Sequence, residues 1–179
     1  IKQVARAGAK ALGVEAIGLF YYHRPDPAVP FADSVGALVE LLDDGVIVRA
    51  GVSNVNPAQI AEAREILGGR LDAVQNQFSP AFRSSEPELD LCAELGIAFL
   101  PWSPLGGIGR AKSVATRFTA YQDVADARGV SPQQVVLAWE LAKSPGVIPI
   151  PGATRPASIL DSLKATDLTL TPEELVTLG

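Results

Sequence analysis

His23 is the only histidine of the chain, and it stands in "LFYYHRPDP", residues 19–27, after an apolar run and before two prolines. An imidazole exchanges or shares a proton near neutral pH more readily than any other side chain. Here it has two uses. It closes a strand end and hydrogen-bonds the next loop, or it works on a substrate. Similar polar clusters recur downstream: Ser53 and Asn54 in "GVSN", Gln75 in "VQNQ", and Trp102 with Ser103 in "WSPLGG". Taken singly, Asn, Gln and Ser at strand ends commonly satisfy loop backbone.

Two further stretches suit anions. "SPLGGIGR" offers small residues, Gly106, Gly107 and Gly109 among them, and bare backbone N–H groups that can approach phosphate oxygens closely. The same glycines would also serve a merely flexible loop. "GATRP" sets Gly152, Thr154 and Arg155 just before a helix start at Pro156. A helix N-terminus favours an anion, and a guanidinium grips phosphate bidentately. No G-x-G-x-x-G follows the first strand and no G-x-x-x-x-G-K-[ST] occurs, so neither dinucleotide fingerprint nor P-loop applies. Cys92, in "ELDLCAELG", is the single cysteine. It reads as a small buried hydrophobe on an amphipathic helix, since no histidine is near and no C-x-x-C exists. One histidine and one cysteine argue against a zinc site.

These residues need elements to carry them. "IKQVARAGAKALG" puts Ile1, Val4, Ala5 and Leu12 on one helical face, and Gly13 stops the helix. "AIGLFYY" suits a strand buried on both faces. "DSVGALVELLDDG" predicts a second helix with Val35, Leu38, Val39 and Leu42 inward, and "VIVRAGVSN" the next strand. Helix starts then recur as "NPAQ" from Asn56, "SEPE" from Ser85, "SPQQ" from Ser131 and "TPEE" from Thr171, each with a capping side chain and proline near N1. Between them lie "DAVQNQ", "IAFLPW" and "VIPIP", short apolar runs of strand length. The reading is a helix, four strand–helix units, a fifth strand and two short helices. The five strands end near His23, Asn54, Gln77, Ser103 and Pro151. Such alternation means a parallel sheet with right-handed crossovers. All C-terminal strand ends then lie at one rim, where ligands bind. The five polar clusters are therefore expected to converge on one pocket.

The chain has 179 residues, 47% apolar and 20% charged, enough for a hydrophobic core and without a linker, so residues 1–179 read as a single domain. The net charge of −5 and the absence of a Lys/Arg cluster argue against nucleic acid and anionic membrane as partners. No apolar run is long enough to span a bilayer and no signal-peptide pattern opens the chain, which makes cytoplasmic the default location. There is no methionine and the chain begins at Ile1, so an internal piece of a longer protein is one reading.

The ordered set "YYHRPD", "GVSN", "VQNQFSP", "PWSPLGG" and "IPIPGATRPASILDSL" resembles the C-terminal part of an aldo-keto reductase, over essentially the whole chain. The resemblance implies a (β/α)8 TIM-type barrel, here an incomplete one made of about five parallel strands, the fourth to the eighth, with surrounding helices. It implies NADP(H) as cofactor and reduction of a small-molecule aldehyde or ketone to an alcohol. By the same resemblance, His23 orients and polarises the substrate carbonyl. Ser53 and Asn54, with Gln75 beside them, hold the nicotinamide carboxamide, and Trp102 stacks on its ring. Ser103, Pro104, Leu105, Gly106 and Gly107 line the pyrophosphate. Gly152, Thr154 and Arg155 hold the adenosine end, Arg155 on the 2′-phosphate, with Asp161 and Ser162 near the adenine. Ser162 stands where the family more often has Asn, and the family's Lys-containing version of "IPIPGATR" is not matched.

The family's acid is a tyrosine tuned by a lysine and an aspartate from the second and third barrel strands. Tyr21, Tyr22 and Tyr121 do not match that tyrosine, and nothing matches the lysine or aspartate. "TPEELVTLG" stops just inside the family's last helix. The expectation is a missing N-terminal half-barrel upstream and a chain that is inactive alone. Two other readings compete: a non-catalytic NADP(H)-binding or regulatory subunit of the same fold, and an unrelated phosphate-binding barrel enzyme.

Overall fold

The computed structural model describes residues 1–107, 109, 111 and 114–179, with the Ala115 side chain also left undescribed. Ile108 and Arg110 of "SPLGGIGR" lie outside the described residues. The chain forms two compact units, one of Ile1–Asn76 with Pro87–Phe99, the other of Gln77–Glu86 with Leu100–Gly179.

The first unit holds a parallel sheet of four strands in the order β1 (Phe20–Tyr22), β2 (Ala50–Ser53), β3 (Leu71–Gln75) and β4 (Ala98–Phe99). Helices α1 (Lys2–Leu12), α2 (Phe31–Asp43) and α3 (Pro57–Ile66) alternate with the strands, and most of α4 (Glu86–Leu95) follows β3. The strands are short. "AIGLFYY" yields three strand residues plus an isolated bridge between Ile17 and Ile47, because the pairing lapses at the intervening residues. β3 ends at Gln75, not at Gln77.

Two predicted helix faces are corrected. In α1 the buried residues are Ala5 and Ala9, while Val4 is 66% and Leu12 67% exposed. The small alanines, one turn apart, let the helix lie close, and this rotates the larger apolar residues outward. In α2 Ser34, Val35, Leu38 and Leu41 are buried, with Val39 and Leu42 only half-buried. The stripe is shifted by one residue towards the N-terminus, and the helix starts at Phe31, ahead of the predicted Asp33. The stop at Gly13 holds, with φ of 67° and its N–H on the carbonyls of Ala9 and Lys10. The cap at Asn56 is a full capping box: Asn56 accepts from the Gln59 N–H and Gln59 accepts from the Asn56 N–H.

The second unit is mostly helical: α5 (Val114–Arg117), α6 (Thr119–Arg128), α7 (Pro132–Leu141), α8 (Pro156–Leu163), a 3-10 turn (Lys164–Asp167) and α9 (Pro172–Leu178). The fifth strand is not formed as an element. Residues of "VIPIP" make one parallel bridge, Ile150 to Trp102, and Trp102 bridges Gln77 in turn. Two prolines in that run, Pro149 and Pro151, remove the N–H groups that a longer ladder needs. The single helix expected before it is three, α5 to α7, broken where Phe118 leaves helical geometry and where Gly129 turns left-handed at φ 66°.

α7 is the core of this unit, buried from Gln134 to Glu140. Its N-cap Ser131 accepts from the Gln134 N–H, as the sequence predicts. Trp139 stacks on Phe78 with ring centroids 5.4 Å apart, and its Nε1–H donates to the Gly179 carbonyl at 3.1 Å. The Arg83 guanidinium lies 4.6 Å from the Trp139 ring and donates to the Gly179 carbonyl at 2.6 Å and the Leu178 carbonyl at 2.8 Å. It thereby satisfies carbonyls at the end of α9. The start of α9 is held by the Thr171–Glu174 capping box and by a two-bond pair from Arg128 to Glu174, 2.7 Å each.

Glu140 breaks this pattern. It is 0% exposed, and neither carboxylate oxygen has a hydrogen-bond partner among the described residues. Burial pushes its carboxyl well above the usual range, so the folded protein keeps the proton there. The unfolded chain releases that proton above about pH 4.3. Stability from this group is therefore full below that pH and declines as pH rises towards the folded value. Glu140→Leu is expected to stabilise the protein by about 1–3 kcal/mol near neutral pH, from removal of an unsatisfied buried polar group. Thermal unfolding at a series of pH values should show the gain in Tm growing from pH 4 to pH 7. A gain that is flat with pH would rule out this titration.

Candidate functional site

In the first unit the ends of β1, β2 and β3 lie side by side, since each pairs in parallel with the next. The register places Tyr21 beside Gly51 and Ser53 beside Gln75, and Gly51 beside Ala73. Alternation along the strands then puts Tyr21, Gly51, Ser53, Ala73 and Gln75 on one sheet face. Tyr22, Val52, Val74 and Phe99 share the other, all buried. A Cβ on Gly51 would run into the Tyr21 ring, so the glycine is what lets that ring lie flat across the neighbouring strand. Burial pushes the Tyr21 hydroxyl up to about 12. That phenol stays protonated at neutral pH.

Four predicted residues come together at this edge. The Ser53 hydroxyl donates to the Gln75 carbonyl at 2.6 Å, and the Asn54 N–H donates to the same carbonyl at 3.1 Å. The Asn54 side-chain amide donates to the His23 carbonyl at 2.9 Å and to the Ser53 hydroxyl at 3.1 Å. Asn54 also has φ of 58°, a left-handed conformation that Asn tolerates better than most residues. The chain thus turns sharply after β2, and the turn is tied to both neighbouring strands. His23 itself is exposed, and its backbone, not its imidazole, is the atom that Asn54 fixes. Sequence reasoning missed the residue under this turn. Asn76 is buried and exchanges two bonds with Val55, accepting from its N–H at 3.2 Å and donating to its carbonyl at 2.7 Å. An amide inside the apolar run "DAVQNQF" was the available signal.

In the second unit Trp102 is half-buried between its bridge partners Gln77 and Ile150. The loop after it reverses at once. Ser103 has φ of 55°, Gly106 of 88° and Gly107 of 99°, and the Gly106 N–H closes on the Ser103 carbonyl at 2.8 Å. Pro104 is buried, and Leu105 to Gly107 are half-buried. The adjacent positive-φ pair Gly106 and Gly107, after the reversal at Ser103, suits a concave backbone of the kind that holds anions.

Gly152, Thr154 and Arg155 are exposed, ahead of α8. Arg155 is its N-cap, in extended geometry and without a side-chain cap bond. Asp161 is placed otherwise than a purely ligand-facing residue. Its carboxylate accepts from the Ser131 hydroxyl and from the Gln134 amide, 2.6 Å each, tying α8 to the start of α7. The Ser162 hydroxyl donates back to the Ser158 carbonyl at 3.0 Å. Cys92 is fully buried on α4, and burial, helped by Glu88, pushes its thiol up to about 12, which is inert chemistry.

Residues 1–178 match the model of the aldo/keto reductase family. The chain belongs to that family. It is 38% identical over 145 residues to pyridoxine 4-dehydrogenase of Escherichia coli K12, covering 81% of this chain and 48% of that protein. A Glycine max protein named "Probable aldo-keto reductase 1" is 32% identical, with 98% of this chain and 58% of the relative covered. The chain thus spans about half the length of these curated relatives. Among solved structures, an aldo-keto reductase from Klebsiella pneumoniae in complex with NADP and acetate superposes with a TM-score of 0.85 at 26% identity, over 98% of this chain and 62% of that one. A thermostable aldo-keto reductase bound to the inhibitor epalrestat gives 0.87 at 27%, over 98% and 64%. The fold is therefore the family's α/β, TIM-barrel type. Among the described residues no helix is long and apolar enough to cross a membrane.

The turn at Asn54 yields a prediction. Asn54→Val should lose the bond to the His23 carbonyl and strain the left-handed backbone, for a combined loss of about 2–3 kcal/mol. Asn54→Gly relieves the strain and should cost about 1 kcal/mol or less. Urea unfolding of both variants checks the order, and equal losses would contradict a backbone role.

Proposed function

We propose that this chain carries the NADP(H)-binding residues of an oxidoreductase that reduces a small carbonyl compound to an alcohol. The observation that carries this reading is the start of α8. Arg155 is exposed there with no cap bond of its own, next to exposed Gly152 and Thr154, at a helix N-terminus that favours negative charge. A guanidinium so placed suits the 2′-phosphate that distinguishes NADPH from NADH. The concave backbone from Ser103 to Gly107 suits the pyrophosphate. The family membership and the NADP bound by the Klebsiella pneumoniae relative support the same assignment.

The cofactor supplies a hydride. The residues of this chain hold and orient. Ser53, Asn54 and Gln75 form the polar corner suited to a carboxamide, and Trp102 offers a flat face for the nicotinamide ring. Fixing the ring against the carbonyl carbon is a positioning effect worth several kcal/mol of barrier. The exposed His23 imidazole donates a hydrogen bond to the carbonyl oxygen, which gains negative charge as hydride arrives. Asp161 and Ser162 lie at the adenosine end, where Asp161 acts mainly by fixing α8. No residue here matches the family's tyrosine acid or its lysine and aspartate, so we assign this chain binding and carbonyl polarisation without the final proton donor.

Titration of the purified chain with NADPH, followed by fluorescence, tests this. Trp102 should be quenched on saturation, with Trp102→Phe identifying its share against the buried Trp139. Arg155→Ala should weaken NADPH at least tenfold and NADH far less. Failure of a folded chain to bind NADPH would overturn the assignment. With NADPH and a reactive aldehyde the chain alone should give no sustained turnover. Turnover would mean that a proton donor among these residues has been overlooked.

A further inference from the structure

A dinucleotide pyrophosphate carries a negative charge on each phosphate, and the Ser103–Gly107 loop has few groups to meet them. Pro104 has no N–H, and the Gly106 N–H is spent on the Ser103 carbonyl at 2.8 Å. Ser103, Leu105 and Gly107 are left as backbone donors. Their amide dipoles offer partial charges, whereas a guanidinium offers a full one in a fork that fits phosphate oxygens.

Such a group stands beside the loop. Arg117, the last residue of α5, lines a small cavity together with Pro104, Leu105 and Gly106. It is exposed, and it has no carboxylate partner among the described residues. Arg83, Arg128 and Lys143 of the same unit are committed elsewhere, to the Leu178 and Gly179 carbonyls, to Glu174 and to Glu86. Nor is the Arg117 side chain loose. Its guanidinium carbon lies 5.4 Å from the centroid of the Phe118 ring. Phe118 meets Tyr121 edge-on at 6.1 Å, and Tyr121 meets Trp139 edge-on at 5.9 Å. Tyr121 and Trp139 are buried, so the platform under Arg117 is anchored in the core of the unit. The Phe118 N–H also donates to the Val114 carbonyl at 3.0 Å, which fixes the end of α5. A cation seated on a ring before its ligand arrives loses less freedom on binding.

We infer that Arg117 binds the cofactor's pyrophosphate at the Ser103–Gly107 loop, as a second phosphate-gripping arginine in addition to Arg155. This rests on the NADP(H) reading above and adds a residue to it. Arg155 meets the 2′-phosphate, and Arg117 meets the phosphates that join the two nucleosides. Arg117 is a binding residue and takes no part in hydride or proton transfer.

Calorimetric titration of Arg117→Ala and Arg117→Lys with NADPH and with adenosine 2′-monophosphate tests this. The position is exposed, so both variants should keep the wild-type Tm. Arg117→Ala should weaken NADPH about tenfold. Arg117→Lys keeps the charge but loses the fork, and should fall between Ala and wild type. Adenosine 2′-monophosphate, which has no pyrophosphate, should bind both variants as it binds the wild type. An unchanged NADPH affinity in Arg117→Ala overturns this assignment alone. Equal weakening of both ligands also overturns it, since that marks a general field or, with a lowered Tm, a structural role. A folded wild-type chain that binds no NADPH overturns the NADP(H) reading and this assignment together.

Discussion

The first unit depends on where one carbonyl sits. The Gln75 oxygen at the end of β3 receives both the Ser53 hydroxyl and the Asn54 N–H, and so fixes how the chain leaves β2. Asn54 is then forced into a left-handed turn, and from that turn its amide reaches the His23 carbonyl at the end of β1. Three consecutive strands are thereby locked at the same edge by side chains, not only by the sheet ladder. Short strands make this necessary. β1 has three paired residues and β4 two, so the ladder alone is a weak guide to register. The polar residues proposed to hold the cofactor are also the residues that hold this edge together.

Much of this was legible in the sequence. The capping boxes at Asn56 and Thr171, the cap at Ser131 and the stop at Gly13 are local chemistry, set by residues within four of one another, and each stands where the sequence places it. The parallel pairing follows from the alternation of elements, and the sequential strand order from the barrel that the sequence resembles. The clusters ending in His23, Asn54 and Gln75 are visible because polar groups recur at one strand end after another, although each alone is common. What was not legible is set by distant partners. Which face of α1 is buried depends on how closely a neighbour approaches, and the alanines allow a closeness that a hydrophobicity pattern ranks below valine and leucine. The lapse of the fifth strand follows from Pro149 and Pro151, but whether one bridge survives depends on Trp102 lying alongside. The use of Asp161 on Ser131 and Gln134 joins residues 27 and 30 positions apart. No spacing rule reaches that far.

Among the described residues, the two non-glycine residues with left-handed backbone are Asn54 and Ser103. Both follow a strand or bridge directly, and both belong to clusters singled out for chemistry. Strain of this sort persists only where surrounding bonds over-determine it. At Asn54 the determining bonds run to the Gln75 and His23 carbonyls and the Ser53 hydroxyl. At Ser103 the Gly106 N–H closes a turn on the residue's own carbonyl at 2.8 Å. The two corners thus meet the same steric demand, one with a side-chain amide and the other with a backbone turn.

The Arg83 clasp has a consequence in time. Its bonds to Leu178 and Gly179 join positions 95 and 96 residues apart. A contact of such separation closes a long loop, and its entropy cost must be met before the bond and the Trp139 stacking return anything. On a ribosome, Arg83 emerges several seconds before its acceptors are made, at roughly 5–20 residues per second. Until then Trp139 lacks its Gly179 bond, and the end of the last helix has nothing to dock. The second unit is therefore completed late, whereas α1 to β3 can assemble from neighbours already present.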